Sequence, residues 1–343
     1  MIKIGIIGAG RIGKVHGESI SCYIKRAKIK AIADPYMNEE TRLWAQDLGI
    51  QDIYTDYKKI LEDKEIDAVL ICSSTDTHSK IALEAIKAGK HIFCEKPIDH
   101  DVNKIKEVIK ALEGSRVKFQ VGFNRRFDHN FAAARKAVEE GKVGAINILK
   151  ITSRDPAAPP LDYIKVSGGI FLDMTIHDFD MVRYISGAEV EEVFAMGDAL
   201  TDKNIALAGD IDTAIITLKL SDGSLAVIDN CRRACYGYDQ RLEIFGSKGR
   251  AFINNDTQTS LKIQNKDGVV GENPLYFFLE RYMQAYVEEI RAFIEAIEED
   301  KDVPVNVYDG LQPVLIGLAA QKSLKEKRAV KIEEIKQIYQ LLP

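Results

Sequence analysis

KIGIIGAGRIG, residues 3–13, sets a short run of apolar, mostly β-branched residues against a glycine triplet and then opens into a helical pattern. Gly8, Gly10 and Gly13, with Ala9, Arg11 and Ile12 between them, spell G-x-G-x-x-G. That spacing allows a tight strand-to-helix turn and lets backbone N–H groups at a helix N-terminus approach a pyrophosphate. A turn without ligand uses the same glycines, so context has to carry the argument. The next strand-like run, IKAIAD (29–34), ends on Asp34, 21 residues after Gly13. A carboxylate there accepts hydrogen bonds from a ribose diol and repels a 2′-phosphate. Pro35 follows, and no Lys or Arg lies within the next few residues. NAD is therefore expected over NADP, with FAD a lesser alternative.

Outward from that stretch the pattern repeats. DAVLICSS (67–74), KHIFCEKP (90–97) and RVKFQVGF (116–123) are apolar strand-like runs separated by amphipathic helical segments near 78–88 and 101–113. Near-continuous Val/Ile runs alternating with helices indicate a parallel sheet covered on both faces, the doubly wound nucleotide-binding architecture. The expected first domain is 1–122. Beyond it the texture changes. INILKITSRD (146–155), VEEVFAMGD, TAIITLKL, SLAVIDNC and RLEIFG follow mostly without interposed helices, and two long amphipathic helices close the chain near 276–298 and 308–326. The expectation for 123–343 is an α+β domain built on a large, mostly antiparallel sheet.

The totals exclude several classes. The chain has 343 residues, 46% hydrophobic and 29% charged, with a net charge of −5. This is an ordinary soluble balance, and the acidic net charge argues against nucleic acid or an anionic membrane as the main partner. No apolar run reaches the roughly 18 residues of a membrane span. The N-terminal run has neither a basic flank nor a cleavage pattern, which points to a cytoplasmic protein. Cys22, Cys72, Cys94, Cys231 and Cys235 are scattered, and Cys231-x3-Cys235 has no matching second pair for zinc.

In a doubly wound sheet, ligands sit beyond the carboxyl ends of the strands. Ser73, Ser74, Thr75 and, a little further, His78 fall at one such edge; Glu95 and Lys96 fall at another. In the second half, FLDMTIHDFD (171–180) places Asp173 and His177 four residues apart behind Gly168-Gly169, so on one helix they would share a face. The stretch supports three readings: half a metal site, an acid/base pair, or a helix start with Asp173 as N-cap. A catalytic zinc needs three protein ligands, and no third His, Cys or Glu lies at short spacing, so no metal is expected.

These motifs together resemble the glucose–fructose oxidoreductase/inositol dehydrogenase superfamily. The glycine turn, the strand ending EKP, GFNRRFD (122–128) and GG-x3-D-x3-H carry the likeness over essentially the whole chain. FCEKP, GGIFLDMTIHDFDM and YGYDQ bring it closer to the inositol 2-dehydrogenases. The resemblance implies Lys96, Asp173 and His177 as the catalytic set, with Arg126, Asp155, Tyr236 and Tyr238 toward a polyol. It also implies an open sheet covered by another subunit, in a homodimer or homotetramer. Two departures stand out: Ser153 occupies a position where some inositol dehydrogenases have histidine, and the proline-rich loop DPAAPPLDYIKVSGG is distinctive. Both leave the inositol isomer open.

Oxidation of a secondary alcohol needs a hydride acceptor and a base for the hydroxyl proton. Histidine's ordinary pKa near 6.5 suits it as that base. Lysine supplies positive charge beside a developing alkoxide. The expected activity is NAD-dependent oxidation of myo-inositol to its 2-ketone. The alternatives are a scyllo-inositol or other sugar dehydrogenase, an NAD-binding regulator without turnover, and an NAD-dependent glycosidase.

Overall fold

The computed structural model describes residues 1–341. Two compact units share the chain: one comprises Met1–Phe127 and Met283–Gln312, the other Asp128–Tyr282 and the chain from Pro313 onward.

The first unit is built on six parallel strands: β1 (Ile2–Ile7), β2 (Ala27–Ala33), β3 (Asp52–Tyr54), β4 (Ala68–Ile71), β5 (His91–Glu95) and β6 (Phe119–Gly122). They lie in the order β3-β2-β1-β4-β5-β6. This is the doubly wound arrangement, and it explains the absence of alternation: every residue of β4 and the last four of β1 are buried. Helices α1 (Arg11–Tyr23), α2 (Glu39–Asp47), α3 (Lys58–Glu62), α4 (Thr75–Lys87) and α5 (Val102–Leu112) complete the local units. The start of α2 shows why it forms where it does. Asn38 accepts a hydrogen bond from the Thr41 N–H, and Glu39 and Glu40 occupy the first turn. The later segment adds Val287, Ile290, Phe293 and Ile294 to a core of Ile4, Ile6, Leu70 and Phe93.

The second unit contains α6 (His129–Glu139), α7 (Leu161–Ile164), α8 (Ile170–Asp173), α9 (Ile176–Ser186) and α10 (Lys203–Leu207). Its strands are β7 (Ile146–Arg154), β8 (Val190–Asp198), β9 (Thr213–Leu220), β10 (Leu225–Cys231), β11 (Asp239–Gly246) and β12 (Gly249–Ile253), with an exposed hairpin of β13 (Lys262–Asn265) and β14 (Gly268–Gly271). Of the two long helices, α11 (Phe278–Glu298) belongs mostly to the first unit and α12 (Val307–Glu326) mostly to the second, where β15 (Val330–Lys331) and α13 (Ile332–Ile338) follow. The sheet order is β12-β11-β7-β10-β9-β8-β15. All neighbours are antiparallel except β7 and β10. β9 alternates buried and exposed residues along its length, as expected of a sheet with one covered face. On the open face Ile148, Leu225 and Phe245 are exposed and stand side by side in register across β10, β7 and β11. Among the described residues no helix is long and apolar enough to cross a membrane.

Candidate active site

In the first unit the glycine turn is packed to its limit. A side chain at Gly13 would place its Cβ 2.0 Å from the Gly8 carbonyl oxygen. Gly8 itself has φ +100° and would meet the Cys72–Ser73 backbone at 2.6 Å. Gly10, by contrast, faces open space and caps α1 without a side-chain hydrogen bond. The first N–H groups of a thirteen-residue helix are thus presented past a residue with no side chain, the arrangement a pyrophosphate needs. Arg11 is exposed and Ile12 half-buried beside it. Asp34 follows β2 and is joined to the same turn: its Oδ2 accepts the Ala9 N–H at 2.6 Å, and its Oδ1 accepts the Tyr36 N–H at 2.7 Å. The glycines and the acid expected to hold NAD are therefore brought together, and the residues present fit that cofactor.

The neighbouring strand ends are tied to each other. His78 is buried, with Nε2 2.9 Å from the Ser73 carbonyl and Nδ1 2.9 Å from the Pro97 carbonyl. It bridges the loop after β4 to the loop after β5. Ser73 Oγ pairs with Thr77 Oγ1 at 2.7 Å, and Ser74 caps α4, in which Thr75 is the first residue. Lys96 is half-buried and precedes the cis peptide to Pro97. Glu95 does not point into open solvent, since its Oε1 lies 2.6 Å from His16 Nε2. Arg126 sits in a 3₁₀ turn (Asn124–Phe127) and donates to Asp309 Oδ1 at 3.0 Å.

In the second unit, FLDMTIHDFD is two helices rather than one. Asp173 ends α8; Met174 and Thr175 break the chain; His177 lies in the first turn of α9. The N-cap of α8 is Gly169, at φ +79°, so Asp173 is not a cap. One amide pins the break. Asn230 of β10 accepts from Thr175 Oγ1 at 2.6 Å and donates to Asp178 Oδ2 at 2.9 Å. Asp178 and Asp180 are fully buried, a structural use of carboxylates that solvent-facing placement would not require.

The Asp173 carboxylate is held from both sides. Oδ1 accepts from the Tyr163 hydroxyl at 2.9 Å, and Oδ2 receives both Nη atoms of Arg232 at 3.3 Å. Arg232 is 1% exposed, and its Nη2 lies 3.7 Å from Asp210 Oδ2. Its main-chain N–H donates to the Asp212 carbonyl. The buried Asp212 carboxylate in turn collects the N–H groups of Leu200, Thr201 and Asp202, each at 2.9 Å. Burial alone would raise Asp212; the hydrogen bonds from Asp202, Thr213 and Thr201 outweigh it and hold the group below the ordinary carboxylate range. Asp155 joins the Arg232 loop through backbone bonds to Cys231 and Ala234. Ser153 is fully buried and donates to Gln240 at 3.1 Å.

Tyr236 and Tyr238 diverge. The Tyr236 hydroxyl donates to Asp239 Oδ2 at 2.6 Å and accepts from Arg154 Nη1 at 3.2 Å. Burial and the Asp239 bond push this phenol up, so it stays protonated at neutral pH. Tyr238 is buried, edge-on to Tyr282 with ring centroids 5.9 Å apart. Sequence reasoning passed over Arg232, Tyr163, Asp210 and Asp309. Arg232 lies between Cys231 and Cys235, in a stretch considered only for zinc.

A family model described as an oxidoreductase family with an NAD-binding Rossmann fold matches residues 2–123, and a GFO/IDH/MocA C-terminal domain model matches residues 131–252. A myo-inositol 2-dehydrogenase of Thermotoga maritima is 50% identical over 97% of this chain and 99% of its own length. An inositol 2-dehydrogenase of Rhizobium meliloti is 44% identical over 96% of this chain and 99% of its own. The crystal structure of scyllo-inositol dehydrogenase from Lactobacillus casei, with bound NAD(H) and scyllo-inositol, superposes with a TM-score of 0.90 at 33% identity, covering 97% of this chain and 99% of that one.

Proposed function

The chain belongs to the GFO/IDH/MocA oxidoreductase family, and from that premise we propose that it oxidises myo-inositol at C2 to the 2-ketone with NAD. The observation that carries this reading is the 50% identity, over nearly the full length of both chains, to a protein named for that activity. The fixed carboxylate and helix-borne imidazole of the second unit supply the chemistry it needs.

NAD, when bound, accepts the hydride. Gly8, Gly10, Arg11, Ile12 and Gly13 would hold its pyrophosphate and Asp34 its ribose diol, with Ser73, Ser74, Thr75, His78, Glu95 and Lys96 forming the strand-end edge beside it. His177 takes the hydroxyl proton, as its ordinary pKa near 6.5 suits it to do. Asp173, clamped by Arg232 and Tyr163, keeps a fixed negative charge that orients the hydroxyl and favours the protonated imidazole after transfer. Lys96 places positive charge against the developing alkoxide. Arg126, Asp155, Tyr236 and Tyr238 bind the remaining hydroxyls.

NADH absorbance should rise with myo-inositol. In His177→Ala the rate should fall by about 10²- to 10⁴-fold, the usual loss of a general base, with NAD still bound. A flat trace across inositols, glucose and related polyols would sink the reading. Scyllo-inositol is the second substrate to test, favoured by the likeness to the Lactobacillus casei enzyme. A regulator would bind NAD without turnover, and a glycosidase would release aglycone with no net NADH. The same reading makes the chain a homo-oligomer that covers its open sheet face, and a cytoplasmic protein, in keeping with five free thiols.

A further inference from the structure

Next to the strand end that carries Lys96 lies a cluster around Glu95 whose other members, His16 and Glu289, have no assigned part in cofactor binding or hydroxyl chemistry. His16 on α1 is fully buried, with Nε2 2.6 Å from Glu95 Oε1 and 4.0 Å from Glu289 Oε1. Glu289 on α11 is also fully buried, and neither of its carboxylate oxygens meets a hydrogen-bond donor among the described residues. The Gln120 amide does not supply one, since its Nε2 donates at 2.8 Å to the Glu289 main-chain carbonyl. Phe93 and Tyr286 present their rings edge-on to His16, at centroid distances of 5.1 and 5.7 Å.

An isolated carboxylate cannot stay ionised in such a place without a cation or several donors. A metal is the first candidate, because one ligating atom from each of His16, Glu95 and Glu289 lies within 4.8 Å of the others. The spacing argues against it. Two ligands each about 2.0–2.1 Å from a tetrahedral zinc stand about 3.3 Å apart, whereas His16 and Glu95 are at hydrogen-bonding distance, 2.6 Å. Protonation is the simpler solution. Burial, and then the charge of Glu95, push the Glu289 carboxyl well above the ordinary range.

We propose that Glu289 is a neutral carboxylic acid at physiological pH, that His16 therefore commits its Nε2 proton to Glu95 alone, and that this cluster positions Lys96. An ionised Glu289 would compete for the same proton from 4.0 Å away. The other groups facing the cluster leave the balance undisturbed. Burial, followed by the Glu95 charge, raises the Cys72 and Cys94 thiols well above their usual range, so both stay neutral. On the far side of Lys96, His78 meets the Pro97 carbonyl at 2.9 Å. Lys96 thus sits between two residues that histidines hold in place. The role given to His16 and Glu289 rests on Lys96 belonging to the catalytic set.

Two measurements test this on the full-length enzyme. His16→Phe should lower kcat by about 10- to 100-fold, the penalty of a small misplacement of a catalytic group, while NAD affinity by fluorescence titration stays close to wild type. His16→Gln, whose amide can still donate to Glu95, should restore most of kcat. Glu95→Ala, which removes the acceptor for His16, should reproduce the loss should His16→Phe fail to fold, with NAD affinity measured alongside because Glu95 also lies at the cofactor edge. Infrared spectroscopy at neutral pH should show a protonated-carboxyl C=O band that disappears in Glu289→Gln. Unchanged kcat in His16→Phe, with Lys96→Met inactive, overturns the positioning role and leaves the proposed activity standing. An active Lys96→Met overturns the catalytic assignment of Lys96, and the positioning role with it. Absence of the infrared band, or a stoichiometric metal by elemental analysis that is lost in Glu289→Gln, overturns the protonated acid.

Discussion

A carboxyl that keeps its proton in the folded chain and loses it on unfolding ties stability to pH. Glu289, raised by burial and by Glu95, is such a group. Its folded pKa exceeds its unfolded value of about 4.3. Its contribution is therefore complete below that value and is lost as pH rises toward the folded one. Within that window the wild type should lose up to about 1.4 kcal/mol per pH unit relative to Glu289→Gln. Urea unfolding from about pH 5 upward measures the difference; a constant gap would mean Glu289 is ionised when folded. Nothing local in the sequence marks this residue, because Glu288-Glu289 reads as an ordinary charged pair on an amphipathic helix. Arg232 is hidden in the same way: arginine is rarely buried, and only the fold shows that Asp173 and Asp210 neutralise it. The link between Asp34 and the glycine turn was legible because it depends on spacing along one strand–turn–helix and the strand beside it. Arg232 and Glu289 depend on neighbours far away in the chain.

At the scale of elements, the start of α9 depends on one side chain from another strand. Asn230→Leu would remove the acceptor for Thr175 Oγ1 and strip a donor from the fully buried Asp178. The expected cost is about 1–3 kcal/mol, read by urea denaturation, together with a fall in kcat that outweighs any change in NAD affinity. Equal losses in both would place Asn230 outside the geometry of His177. The i,i+4 spacing of Asp173 and His177 suggested a shared helical face, but Thr175 spends its hydroxyl on Asn230 and the chain breaks there. Helix α4, Thr75–Lys87, and helix α5, Val102–Leu112, fall close to the segments expected near 78–88 and 101–113, because each is long enough to show its period. β3 and α3 were missed: three and five residues are too few to show a period.

For the molecule as a whole, the exposed row of Ile148, Leu225 and Phe245 is where association should be most sensitive. A double variant, Ile148→Glu with Phe245→Glu, should reduce the mass found by light scattering to that of one chain while leaving circular dichroism unchanged. A wild-type monomer, or an unaltered assembly, would remove the argument for this face. The parallel sheet was legible from Val/Ile runs alternating with helices, and the mostly antiparallel one from runs without helices. The parallel contact between β7 and β10 was not, since succession along the chain suggests β8 beside β7, where β10 lies instead.

That contact bears on how the second unit is made. β7 emerges early from synthesis, yet both its partners, β10 and β11, come much later in the chain. Until they arrive, a nine-residue strand with two open edges waits without its ladder, the kind of species that pairs with the wrong chain. A nascent chain that stops short of Gly246 has every residue of FLDMTIHDFD but only part of the sheet meant to support it. The sheet of the second unit should therefore close late in this protein's biogenesis, because pairings of such long sequence separation form late.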